Sequence, residues 1–87
     1  MRYRIDLYRE AEKILDSLDR TTARRIEAKI EELTRDPFSP RLSRQMETVK
    51  DRRYSRVGDW SIIFRVIEAD DILDIVAIKL RGKAYRK

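Results

Sequence analysis

The 87-residue chain contains no cysteine and no histidine. Without cysteine it has neither a disulfide framework nor a thiolate metal site. Without histidine it lacks the side chain that most often exchanges protons near neutral pH, and most zinc sites are excluded with it. Ser-His-Asp and Cys-His catalysis are therefore impossible. Glycine is nearly as scarce: Gly58 and Gly82 stand alone, far apart, so no glycine-rich phosphate loop exists. The two prolines, Pro37 and Pro40, fall in one short stretch. Long apolar runs are also missing. Residues 1–7 already carry Arg2, Arg4 and Asp6, which argues against a cleavable leader or a membrane span and leads to the expectation of a cytoplasmic protein with no membrane partner.

What the chain does have is charge. It is 43% charged and 41% hydrophobic, too apolar for a disordered segment and unusually charged for a simple globule. Its length fits one domain over residues 1–87, and folding at this size buries only about 60–65% of the surface of the unfolded chain. The net charge is +5, from 21 cations against 16 anions. Five of those cations, and no anion, lie in the last nine residues, Lys79 to Lys87. The tail therefore holds the entire formal excess. A second local excess runs from Arg41 to Arg65, with seven cations against Glu47, Asp51 and Asp59. Such clustering is the footprint of a polyanion-binding surface; the alternative is a solvated tail that only aids solubility.

Hydrophobic spacing gives the architecture. Tyr3, Ile5 and Leu7 alternate with charged residues and predict a strand. Ala11, Ile14, Leu15 and Leu18 form one helical stripe, and Ala23, Ile26, Ile30 and Leu33 form another, with turn and N-cap residues between them at Asp19 to Thr22. Asp36-Pro37 ends the second helix. Pro37 and Pro40 bracket a loop, and residues 41–49 allow a short irregular strand. Tyr54–Val57, Trp60–Ile67 and Ile72–Ile78 read as strands joined by turns at Gly58-Asp59 and Ala69–Asp71. Trp60, Ile62, Phe64 and Val66 share the face expected to pack on the helices. Ser61, Ile63, Arg65 and Ile67 share the face expected to stay open. The order β-α-α-β-β-β predicts an α+β domain: a two-helix hairpin on one face of a small antiparallel sheet.

The acidic residues Glu68, Asp70, Asp71 and Asp74 read as a hairpin turn and strand edge, so neither a metal nor another cofactor is expected. Cations with aromatic neighbours remain. Tyr54 and Arg56 are two apart on one strand and share a face; Lys79 and Arg81 follow the last strand, and Tyr85 comes four residues after Arg81. Arginine forks bind phosphate, and a tyrosine ring stacks on a base. Together they suit a single-stranded polyanion, and they also suit metal-free RNA cleavage in which the RNA's own 2′-OH attacks. Individually each residue has a plainer reading. Tyr54 fits a sheet-packing aromatic, Arg56 an ordinary surface arginine, and Tyr85 a residue that pins the tail.

The run Tyr54-Ser55-Arg56-Val57-Gly58-Asp59-Trp60-Ser61-Ile62-Ile63-Phe64, then Ile75 to Ile78 and Lys79-Leu80-Arg81-Gly82-Lys83-Ala84-Tyr85, resembles the RelE/ParE toxin superfamily, and its RelE branch most. The resemblance extends over the helix hairpin and strand order. It implies a toxin of a type II toxin–antitoxin pair that enters the ribosomal A site and cuts mRNA without metal, with a cognate antitoxin, mRNA and rRNA as partners. It also implies site residues. Arg56 falls at a basic catalytic position, Arg81 at the C-terminal catalytic arginine and Tyr85 at the C-terminal tyrosine, which completes the implied catalytic set. Arg53, Tyr54, Lys79 and Lys83 fall in the RNA-contacting region. The position after Trp60 is often a phosphate-binding arginine in this family; here it is Ser61, and Arg65 on the same face is the candidate substitute. A guanidinium keeps its proton in proteins, so Arg56 suits an electrostatic clamp rather than a general base. Two rival readings share the fold: a ParE-type inhibitor that binds gyrase, and a weakly catalytic remnant that binds antitoxin or RNA.

Overall fold

The computed structural model describes residues 2–80. Arg4–Leu7 form β1, Arg9–Ser17 α1, Arg20–Arg35 α2, Arg44–Gln45 β2, Arg53–Val57 β3, Trp60–Ile67 β4 and Ile72–Leu80 β5. Each boundary has a local cause. Glu10 and Glu12 place negative charge in the first turn of α1, where the helix dipole favours it. Asp19 caps α2, its carboxylate accepting from the backbone N–H of Thr22 at 3.0 Å. Bonds from the Thr22 side chain and then its backbone hold the Asp19 carboxyl below its usual pKa. α2 stops at Arg35, immediately before Asp36-Pro37. Gly58 adopts φ +58° at the first central position of the β3–β4 turn, whose closing pair is Val57 and Trp60. Only one central residue has positive φ, the pattern of a type II′ hairpin, and glycine carries no Cβ penalty there.

The sheet has five strands in the order β1-β5-β4-β3-β2. The pairs among β2, β3, β4 and β5 are antiparallel, as alternation and short turns dictate. β1 differs. It lies parallel to β5, Arg4 opposite Ile72 and Leu7 opposite Ile75, so the α+β sheet is mixed rather than purely antiparallel. Its direction is set by long-range contacts: Tyr3 N–H donates to the Thr34 carbonyl at the end of α2, and Arg4 N–H to Asp71. Opposite β4, Ile63 faces Ala77 while Phe64 faces Ile75, so Val76 is the extra residue of a β-bulge.

The two helices cover one face. Ala11, Ile26, Ile30 and Leu33 meet Ile62, Phe64, Leu73, Ile75 and Ile78, with Trp60 and Val66 partly buried around them. This is the face of β4 the alternation assigned to the core. Burying a side chain such as Phe64 contributes about 1.5–3 kcal/mol, which makes these few residues the main source of stability in a thin core. The 36–43 loop is fastened to the sheet by polar contacts: Ser43 Oγ donates to the Pro37 carbonyl at 2.7 Å, and Ser55 Oγ to the Leu42 carbonyl at 2.6 Å. Among the described residues, no helix is long and apolar enough to cross a membrane.

Candidate functional site

The sheet face away from the two helices is organised by cross-strand pairing. Paired residues point to the same side, so Arg56, Ser61 and Lys79 form one rung across β3, β4 and β5. Strands lie about 4.8 Å apart, which puts the Arg56 and Lys79 backbones roughly 10 Å from each other. Ser61 is only 1% exposed and forms the floor between the two cations. The next rung holds Arg44, Tyr54, Ile63 and Ala77. Within β3, the Arg56 guanidinium carbon sits 5.4 Å from the centroid of the Tyr54 ring. That is a cation–π stack, and it fixes the direction of a guanidinium that one strand alone would leave free to swing. Arg56 and Tyr54, joined in the sequence only by a spacing of two, therefore form one unit.

Two other expected RNA-binding residues sit differently. Arg53 lies on the face opposite Tyr54. Its Nε donates to Ser43 Oγ at 2.9 Å, its Nη2 to the Ser43 carbonyl at 3.3 Å, and its guanidinium lies 5.3 Å from the Phe38 ring centroid. Arg53 thus anchors the 36–43 loop. Arg65 shares the Ser61 face but its Nε donates to Asp74 Oδ2 at 2.9 Å, and its Nη1 lies 4.0 Å from Asp51. The hydrogen bond from Arg65 to Asp74 raises the arginine's already high pKa. With its charge committed to two carboxylates, Arg65 is a poor replacement for the phosphate ligand missing at Ser61. Asp74 is 2% exposed, and its Oδ1 has no hydrogen-bond partner among the described residues. Lys79 is exposed on β5. Arg81, Lys83 and Tyr85 lie outside the described residues.

Cations missing from the expected set also reach this region. Lys29 of α2 and Arg41 and Arg44 join Arg56 and Tyr54 around a groove of about 260 Å³ beside the half of β3 that β2 does not pair. Arg41 and Arg44 were visible as part of the cation excess. Lys29 carried no sequence signal, because only the packing of α2 on β3 brings it there. Exposed apolar surface is also differently placed from the open-face expectation. Ile63 and Ile67 are half-buried, whereas Ile5 on edge strand β1 is 41% exposed beside a groove shared with Leu7, Leu15 and Ile30.

Comparison with known proteins adds the family. The model of the ParE toxin of the type II toxin–antitoxin system parDE matches residues 5–85. No curated protein matches. Among solved structures, the fold is similar to the archaeal RelE–RelB complex from Pyrococcus horikoshii OT3, with TM-score 0.80 and 26% identity over 95% of this chain and 99% of that one. It also resembles a mutant E. coli toxin RelE in the free state, with TM-score 0.80 and 16% identity over 98% of this chain and 88% of that one. The RelB–RelE complex of Methanococcus jannaschii gives TM-score 0.73 and 21% identity, over 92% of this chain and 94% of that one. With a family model spanning nearly the whole chain and a RelE-like fold beneath it, this protein belongs to the ParE toxin family, in the RelE/ParE superfamily of type II toxins.

Proposed function

We propose that this toxin is a ribosome-dependent endoribonuclease that cuts mRNA in the A site without a metal, and that a cognate antitoxin neutralises it. The observation that carries the reading is the Arg56–Tyr54 stack on the sheet face away from the helices, with Arg56 on the same rung as Lys79. A stacked guanidinium beside an aromatic ring suits a phosphodiester with its base. In the reaction the 2′-oxygen bonds to the adjacent phosphorus as the bond to the 5′-oxygen breaks. The 2′-OH loses a proton, the leaving oxygen gains one, and a cyclic phosphate and a 5′-hydroxyl result. Negative charge grows on the phosphoryl oxygens, and Arg56 is proposed to neutralise it together with Arg81, with Tyr85 and Lys79 positioning the strand. Fixed cations aimed at developing charge supply the largest share of such catalysis. An antitoxin reading is supported by the family and by the toxin–antitoxin complexes among its structural relatives.

A second reading, a gyrase-binding toxin, is favoured by the ParE identity of the matching family model and by the absence of a cation at Ser61. Mapping mRNA 5′ ends on ribosomes after induction separates the two. The endonuclease reading requires new ends within A-site codons that disappear in Arg81→Ala. Intact mRNA accompanied by DNA breaks overturns it.

A further inference from the structure

β2 starts only at Arg44, opposite Tyr54, and runs antiparallel toward Arg53, so Ser55 to Val57 have no strand on their outer side among the described residues. The notch left there is walled by the loop carrying Arg41 and Leu42, by Arg44, by Tyr54 and Arg56, and by Lys29 reaching across from α2. None of its described lining residues is acidic. Glu32 compensates one of the cations, its carboxylate lying 3.7 Å from the Lys29 ammonium. Among the described residues, the Arg41 and Arg44 side chains meet no carboxylate at ion-pair distance. Lys29, Arg41 and Arg44 converge on about 260 Å³ and repel one another, and that cost is relieved by an anion. The helix side of the notch is held in register by the fold. Arg25, one turn before Lys29, packs its guanidinium within 3.6 Å of where a Cβ on Gly58 would stand.

We propose that this notch is a second RNA-backbone subsite: Lys29, Arg41 and Arg44 hold a phosphodiester flanking the one addressed by Arg56, so that the strand turns around the free edge of β3. The inference rests on the reading of this chain as an RNA-directed toxin. Tyr54 and Arg44 border both this notch and an adjoining groove that also holds Arg53 and one carboxylate, Glu47, so a strand leaving the notch would pass on the Tyr54 and Arg44 side of that groove. An acidic peptide would satisfy the cations, but it has no flat base for the Tyr54 ring on the rim. The notch supplies affinity and register; the bond-breaking groups lie elsewhere.

The test uses the full chain and a fluorescent 2′-O-methyl RNA decamer, which keeps the phosphates and lacks the nucleophile. Binding is measured by anisotropy against salt. For single strands, log K falls with log salt by about 0.7 per neutralised phosphate. The triple variant Lys29→Gln, Arg41→Gln, Arg44→Gln should flatten that slope by roughly one to two units and weaken binding at least about tenfold. A control triple at exposed cations outside both grooves, Arg9→Gln, Lys13→Gln and Arg20→Gln, has the same net charge and should bind nearly as the parent does. Circular dichroism checks that both triples are folded. Equal losses in the two triples mean unspecific charge and overturn the proposal. So does an unchanged slope, no binding by the parent chain, or loss of antitoxin affinity with RNA binding intact. Failure of the notch leaves A-site cleavage to be judged by its own assay. Absence of cleavage with notch-dependent binding overturns the reaction and not the subsite.

Discussion

The guanidinium of Arg56 stacks 5.4 Å from the ring centroid of Tyr54, two residues earlier on the same strand. The ring and the cation therefore present one surface, and substitutions at either should be felt in different kinetic terms. Arg56→Ala should lower the A-site cleavage rate by about 10²–10³, the typical loss for one transition-state charge contact. Arg56→Lys keeps the charge but not the fork, and should recover only part of it. Tyr54→Ala should act mainly through KM, since base stacking is worth about 1–3 kcal/mol, while Tyr54→Phe should cost little. Single-turnover cleavage on programmed ribosomes separates the two effects. Equal losses of kcat alone at both positions would contradict this division.

Asp74 is buried, and Arg65 is its partner, with Nε donating at 2.9 Å. Removing one member of such a pair strands the other, whereas replacing both by apolar groups does not. Arg65→Leu should therefore lower the urea midpoint clearly, and adding Asp74→Leu should restore much of it. Cleavage should follow the folded fraction. Reduced cleavage by fully folded Arg65→Leu would instead return Arg65 to the RNA-binding set.

Asp19 caps α2 with a carboxyl held below its usual pKa by its bonds from Thr22. A depressed folded-state pKa means a contribution fully present above the unfolded value and lost as pH falls through the folded one. Asp19→Ala should lower Tm at pH 7, and the gap to the parent should narrow as pH falls below the ordinary aspartate range. Asp19→Asn keeps an acceptor at the cap and should show a smaller deficit at pH 7. Thermal melts between pH 7 and pH 3 check this; a pH-independent gap for Asp19→Ala would refute the linkage.

Gly58 turns β3 into β4 at φ +58°, and an added Cβ would meet the Arg25 guanidinium only at ordinary contact distance. The strain of Gly58→Ala is thus in the backbone, about 1–2 kcal/mol. Gly58→Asn should cost about as much, since the first central position of a type II′ turn lies outside the left-handed helical region that asparagine tolerates. Urea denaturation reads both losses, and catalytic rates of the folded variants should be unaltered.

Much of this protein was legible in its order of residues because helices and hairpins are local. The stripe from Ala23 to Leu33, the Asp19 cap and the Asp36-Pro37 stop set α2 within a residue or two, and the alternation in Trp60–Ile67 identified the face on the core. The direction of β1 was not legible. Tyr3, Ile5 and Leu7 show alternation and nothing of the partner, which lies some seventy residues away in β5. The site divides in the same way. A spacing of two put Tyr54 and Arg56 on one face, and the pairing of β3 agrees. Consecutive residues of a strand point opposite ways, and this sends Arg53 to the Phe38 side although it adjoins Tyr54. Arg65 looked available until β5 paired Asp74 against it.

The sequence by itself determined the chemistry: no histidine, no cysteine, an excess of cations, and the helix and strand periods that arrange them. Tertiary structure alone decided which cations meet a carboxylate and which line a common notch. Lys29 and Arg56 are brought together by the packing of α2 on β3, and Arg65 is committed to Asp74 by strand register. Periodicity fixes the face a side chain occupies, but its electrostatic partner depends on what the fold lays beside that face.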